Sequence, residues 1–589
     1  MINWKISAAV SLLAALASGP VVPLEETPPP FLDPSILSNA RCFNSETGSG
    51  GLAAFLGAAK AYAQTVPLAA GSAGSLTGYV TRYPVATANP NAQDLFDGGL
   101  SLVVSFNHEA GVVMFREAQA ADPACAMCYW GEAYALGSNI NLYPADEAFR
   151  AARAAAEAAL ARLDGSNSKE RTLVEAIAAR FPASEDGTVK EDTAAFANAI
   201  KSAAAQYPDD NFILSLAAEA NMNTQPWDYW EADRHTPKGR TAETIALLET
   251  ILARDPANVH AAHLYIHATE ASSDPWRALP YAEQLPDLAP QSGHLVHMPS
   301  HIHLLTGQWR KAIDLNLKAA KADETYLASG DTSLIYRYGY YPHNLHFVLV
   351  AAQMAGDDKT AIEVARKLDA ALPGEMTGTA PWVALIKPAP YYAHAQFSPA
   401  ADIIALPEPM DVDSVSKAGW HYARGVAYAE LGDLDKAEAE AQRIEALLVQ
   451  EDIAALEAAF VPAATILTIS IRTVEARIAA KSGDLKRAIS LMETAADMQD
   501  RLPYSEPALW YYPARQTLAA FLLADGQLER AEKIFQRTLL DTPNNAYALY
   551  GLWQTYKAQG DTRSAKYAKA LYKKAWMGGG ANRPALHRI

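Results

Sequence analysis

The chain has 589 residues, half of them hydrophobic, with 33 Gly, 35 Pro and only three cysteines. That length exceeds what one compact core holds, so several domains or a repeat array are expected. The formal net charge of −17 repels phosphate backbones, and no basic block offsets it, so nucleic acid is not an expected partner.

At the N-terminus, Lys5 precedes an apolar run over residues 6–16, and Ala15-Leu16-Ala17 has the small-x-small form of a cleavage site. Residues 1–17 are therefore expected to be a signal peptide and the protein periplasmic or secreted. The run is too short to span a bilayer, and no later apolar stretch is long enough, so no transmembrane segment is expected in the mature protein. Residues 18–90 are rich in Pro, Gly and Ser, with Pro28, Pro29 and Pro30 adjacent. They read as a lead-in with one short helix over residues 53–64. Cys125 and Cys128 form a lone CxxC, read as a structural disulfide or buried thiols rather than a metal pair. Cys42 is left over.

From residue 91 helix-period segments alternate with short turns at a period of 34 residues. Gly526, Ala531, Phe535 and Pro543 hold fixed offsets, and Gly560 and Ala565 repeat the first two 34 residues on. The same frame takes Gly425, Tyr428, Gly432 and Ala437, then Gly99, Phe115, Ala118 and Pro123, then Gly483 with Ala488, and Gly356 with Ala361 and Pro373. This pattern resembles the tetratricopeptide repeat, in which small residues let two helices approach and a proline ends the second. The resemblance implies an all-α fold, an α-solenoid of about eight or nine helix pairs in a right-handed superhelix with a concave groove. The expected divisions are N-terminal repeats over 91–258, histidine-bearing repeats over 259–375, C-terminal repeats over 376–575 and a tail over 576–589.

Nine of the fourteen histidines lie between residues 260 and 346, eight of them in three groups of matching spacing. His260, His263, His267 and Glu270 fall at i, i+3, i+7 and i+10, on one helix face. His294, His297 and His301 follow 34 residues later, and His343 and His346 repeat the first step. In the repeat frame these take the positions that the resemblance assigns to the groove, on three neighbouring first helices. Imidazoles from helices about 8–10 Å apart can meet on one ion, and a divalent transition ion needs three or four converging N or O donors. The metal candidates are His263, His267, His297, His301, His343 and His346. Glu270 is a candidate ligand, orienter or general base. His260 and His294 are expected at helix starts, as caps or rim residues, and His303 as structural. Met222 and Met298 are possible soft ligands.

Two insertions flank this region. Residues 328–341 carry Tyr336, Tyr338, Tyr340 and Tyr341, with Tyr340 and Tyr341 placed beside the site as catalytic candidates. Trp227, Asp228, Tyr229 and Trp230 form the other, as a closure of the groove or as core packing. Arg515, beside Trp510-Tyr511-Tyr512, is a candidate anion contact. The sequence has no glycine-rich phosphate loop, no GxSxG elbow and no CxxCH.

The segments HLYIHATE, GHLVHMPSH and YYPHNLHF resemble those of exported bacterial tetratricopeptide proteins, a likeness that carries no activity with it. The expected function therefore rests on the histidines: a metal-dependent oxidoreductase acting on a small molecule, with copper preferred and iron or zinc as other choices. The alternatives are a scaffold that binds a peptide or protein in its groove, a zinc-dependent hydrolase with Glu270 as base, or a periplasmic metal-handling protein.

Overall fold

The computed structural model describes residues 80–183, 187–330, 334–378, 381–410, 412–458, 461–579, 584–585 and 588. The expected signal peptide, the prolines at 28–30, the helix over 53–64, Cys42 and His587 lie outside the described residues. Among the described residues there is no strand beyond isolated bridges, and no helix is long and apolar enough to cross a membrane.

The architecture is a tetratricopeptide-type solenoid of antiparallel helix pairs. The N-terminal pairs are α1 (Pro90–Val104) with α2 (His108–Ala121), α3 (Ala126–Ala135) with α4 (Asp146–Leu160), α5 (Ser168–Arg180) with α6 (Thr193–Gln206), and α7 (Asn211–Asn223) with α8 (Thr241–Arg254). Gly99 shows why the pattern needs a small residue: a Cβ there would lie 2.7 Å from the Phe115 ring, so the first helix pair could not close. Cys125 and Cys128 form a disulfide at the start of α3. Asn107, Asn167, Asp192 and Asp210 cap helix N-termini with side-chain acceptors.

The central region departs from regular pairs. α9 (Val259–Glu270) is intact, but its partner is broken into a 3-10 turn, α10 (Leu279–Ala282) and α11 (Leu285–Leu288), each with proline in its first turn. The next first helix is split at Met298 into α12 (Gly293–His297) and α13 (Pro299–Leu305), because Pro299 has no N–H to continue the ladder. Both pack on α14 (Trp309–Ala328). Residues Tyr336–Tyr340 form a π-helical turn that runs straight into α15 (Tyr341–Ala355), which pairs with α16 (Asp358–Ala371).

Regular pairing resumes after α17 (Ala389–Phe397) and α18 (Ala400–Ile404), with α19 (Ser414–Leu431) on α20 (Leu434–Leu447). A short α21 (Glu451–Ala458) leads to α22 (Ala463–Lys481) with α23 (Leu485–Asp500), α24 (Ala514–Ala524) with α25 (Leu528–Asp541), and α26 (Ala546–Gln559) with α27 (Thr562–Ala575). This C-terminal arm curls back onto the central helices. The Trp309 indole donates to the Asn544 carbonyl (3.1 Å), the Met577 N–H to the Ala355 carbonyl (2.9 Å), and the Tyr511 hydroxyl to Gln353 (2.9 Å).

Candidate metal centre

α9 supplies His263, His267 and Glu270, α12 supplies His294 and His297, α13 supplies His301 and α15 supplies His343. They gather into two groups of imidazoles. His263, His267 and His294 make the first, His297, His301 and His343 the second, and in each the donor atoms lie within 4.8 Å of one another. His267, Glu270, His301 and Glu506 form a third set of the same reach that joins the two. The rings of His267 and His301 are 5.4 Å apart, and those of His294 and His297 6.1 Å.

The partners of the outer nitrogens fix where the lone pairs point. The His263 Nδ1–H donates to the Val104 carbonyl (2.8 Å) and the His267 Nδ1–H to Glu270 Oε1 (2.8 Å). The His301 Nδ1–H donates to Glu270 Oε2 (2.8 Å) and also meets the Glu506 carboxyl. Asn316 uses its amide N–H on the Ala312 carbonyl, so its Oδ1 accepts from His297 Nδ1–H (2.6 Å). In neutral rings all four Nε2 atoms then carry lone pairs turned inward. This is the outer hydrogen-bonding pattern that orients metal-binding histidines. His263 and His294 Nε2 are 3.0 Å apart, and His297 and His301 Nε2 2.7 Å. An ion about 2.0–2.1 Å from each nitrogen sets neighbouring donors roughly 3.3 Å apart, a small ring rotation away. His267 Nε2 and His294 Nδ1 are buried without a hydrogen-bond partner. The residues present fit a divalent transition ion in each group.

Burial and neighbouring imidazoles hold His263, His294, His297 and His343 well below the ordinary histidine value, which keeps the rings neutral. Burial also lowers His267, against the pull of Glu270. His301 behaves oppositely. Burial opposes its charge, but the Glu506 and Glu270 carboxyls outweigh that and push it up to about 10. Glu270 is held well below the usual carboxylate range by His301 and its hydrogen bonds despite burial, whereas burial and the charge of Glu270 raise Glu506. Without an ion, a protonated His301 therefore donates to His297 across the 2.7 Å contact.

The sequence candidates are distributed unevenly. Five of the six histidines named as ligands enter the two groups. His346 does not: one turn along α15 from His343, its ring packs on Tyr511 at 5.4 Å, and both its nitrogens are buried without partners. Tyr340 reaches the site, its ring 4.9 Å from His294. Tyr341 turns away and donates to Glu324 (3.1 Å). Glu270 spends both oxygens on orienting His267 and His301 and also accepts from the Tyr504 hydroxyl (2.9 Å). Met222 and Met298 are buried in the main apolar core. His260 pairs with Glu219 (3.1 Å), and His303 is buried with Glu283 at 3.8 Å. Arg515 is paired with Asp500.

Four contributors escaped the reading of the sequence. His294, expected at the rim, belongs to the first group. Glu506 and Tyr504 come from the loop after α23, more than 200 residues from α13 in sequence, and no motif marks them. Phe106, in the turn after α1, lays its ring against His263, His267 and His294 at 4.4, 5.8 and 5.1 Å. Trp227 is not among them: the sequence offered its insertion as a closure of the groove or as core packing, and its ring lies 5.2 Å from His267.

A cleft of about 380 Å³ ends on Glu270, His301 and Glu506. Its walls include Leu304, Trp309, Phe347, Val350, Met354 and Trp510, and its outer end carries Arg515, Asp500, Arg537 and Asp541.

Residues 479–552 match the tetratricopeptide repeat family model. Among curated proteins, none matches this sequence. Among solved structures, the chain is similar to the human IFIT1 dimer with m7Gppp-AAAA, at 12% identity and a TM-score of 0.31, covering 83% of this chain and 91% of that one. It is also similar to Naa15/Naa10 bound to HypK-THB, at 12% identity and a TM-score of 0.20, covering 83% and 70%.

Proposed function

We propose that this tetratricopeptide-repeat protein is a metalloenzyme that holds divalent transition ions on the histidines of its central repeats and acts on a small molecule. One observation carries the reading: four buried imidazoles are each pinned at Nδ1 by an outer acceptor, so that their Nε2 atoms converge. All-imidazole donor trios suit copper, iron or zinc more than magnesium or calcium. Redox chemistry at copper or iron is the leading form. Hydrolysis with Glu270 as base has less support, because both its oxygens already orient imidazoles. A peptide-binding role needs an open concave face, and here Phe106, Tyr504 and Glu506 cover the histidine-bearing helices. An exported setting is consistent with the Cys125–Cys128 disulfide.

The test is metal content. The full chain is purified without a histidine tag, and bound metals are quantified by mass spectrometry alongside His267→Ala and His297→Ala variants. The expected result is near-stoichiometric copper, iron or zinc, reduced in both variants while the helical circular dichroism persists. A chain that arrives metal-free, and takes up none of these ions at micromolar concentration, defeats the reading.

A further inference from the structure

The two histidine groups share a bridge but not an environment. The inner group, His263, His267 and His294, is roofed by Phe106, by the edge of Trp227 and by Tyr340, the last 4.9 Å from His294. None of these three histidines lines the cleft. The outer group does meet it: His301 forms part of the cleft floor, with Glu270 and Glu506 beside it. Phe347, whose ring lies 4.5 Å from His297 and 4.7 Å from His343, forms part of the wall.

The cleft itself selects by chemistry. Its walls are mainly aliphatic and aromatic, so an apolar body is favoured there over an ionic one. Away from the floor its three arginines, Arg234, Arg515 and Arg537, are matched in number by Asp233, Asp500 and Asp541, with Arg515 paired to Asp500 and Arg537 to Asp541 (3.4 Å), so no net charge there draws in an ionic substrate. Its volume of about 380 Å³ is within the range of small-molecule sites, about 300–1,000 Å³.

Building on the metalloenzyme reading, we infer that the two groups divide their roles: the outer one receives a neutral, largely apolar small molecule through the cleft, and the inner one is closed to exogenous ligands. The substrate then approaches with one ligating oxygen or nitrogen directed at the His301 end and its apolar part along Leu304, Phe347 and Val350. The inner ion is held by protein alone and acts through the His267–Glu270–His301 bridge.

Cobalt(II) is a spectroscopic probe suited to this test. The full chain is loaded with it and titrated with imidazole and with 4-phenylimidazole, neutral nitrogen ligands that differ by one apolar ring. Half of the bound cobalt should respond. The phenyl ligand should bind about tenfold tighter or better, the size expected for burying one aromatic ring. Leu304→Trp, and independently Val350→Trp, should fill the cleft and abolish that preference with the cobalt content unchanged. Equal response of all bound cobalt, equal affinity for the two ligands, or full retention of the preference in both variants would overturn the inference. A chain that binds no cobalt at all defeats the metal reading and this inference with it, and is distinct from a loaded chain whose two ions behave alike.

Discussion

Phe106, Trp227, Arg234 and Asn544 adopt left-handed backbone conformations, with φ between 57° and 62°. Such a conformation in a non-glycine residue costs on the order of 1–3 kcal/mol and persists only where the surroundings enforce it. Phe106 and Trp227 border the histidine groups, Arg234 lines the cleft, and Asn544 bonds to Trp309 of the cleft wall. Phe106 is held by its buried ring, Trp227 by its indole N–H on the Ile140 carbonyl (2.9 Å), and Arg234 by donation to the Ala271 and Ser272 carbonyls. Asn544 is held by its side-chain N–H on the Gly307 carbonyl (3.3 Å). Asp323 is a different residue-level cost. It is buried and accepts from the Tyr336 hydroxyl and the Asn344 amide, both at 2.7 Å, which ties the π-helical turn to α15 beside His343. Burial outweighs those two bonds and pushes its carboxyl up to about 7. The folded state therefore keeps the proton that the unfolded state gives up near pH 4. The contribution to stability is whole below that pH and is lost as pH rises toward 7. Between pH 5 and 8 the loss is about 3 kcal/mol. Asp323→Asn, which stays neutral, should flatten that part of the profile. Denaturant midpoints of both proteins at the two pH values test it, and parallel profiles would refute the assignment.

At the level of elements, the sequence was most informative where helices are regular. The 34-residue frame gave the helix pairs, and the i, i+3, i+7 spacing put His263 and His267 on one face of α9. It was least informative where a single residue breaks the ladder. Read as one helix, the segment GHLVHMPSH leaves His294 at a rim. The structure instead splits it at Met298: α12 carries His294 into the first group and His297 into the second, and α13 carries His301 into the second. Tyr340, at the end of the π-helical turn, faces His294, whereas Tyr341, about 100° further round, faces Glu324. Periodicity at 100° per residue cannot foresee a break of the ladder. Pro299→Ala should show what the break does. Proline inside a helix is about 3 kcal/mol less favourable than alanine, so the variant should melt no lower than the parent. A straightened helix rotates His301 relative to His297, and affinity for the outer ion should fall about tenfold while that for the inner ion holds. Calorimetric titration with copper or zinc reads both, and unchanged outer affinity would show that the kink does not set the geometry.

At the level of the whole molecule, the solenoid closes on itself, and closure completes the site. Repeat periodicity describes contacts between neighbours and says nothing about which distant repeats meet, which is why Glu506 and Tyr504 were not legible in the sequence. The seam runs from Gly307 and Trp309 against Pro543 and Asn544 to Ala355 against Met577. Gly307 is its tightest point. It has φ +68°, and a Cβ there would lie 2.0 Å from the Pro543 carbonyl oxygen, a backbone atom with no rotamer to yield. Gly307→Ala should therefore part the seam. Strain of this kind costs roughly 1–3 kcal/mol, and the loop that carries Tyr504 and Glu506 lies on the same arm. Removal of bound metal by a bulky chelator follows two phases if the groups differ in access. The variant should accelerate the outer phase several-fold and leave the inner one, sealed by Phe106 and Trp227, as in the parent. Equal acceleration of both phases would mean that the arm protects the two groups alike. A lower melting temperature with neither phase changed would mean that the seam stabilises the fold without gating the site.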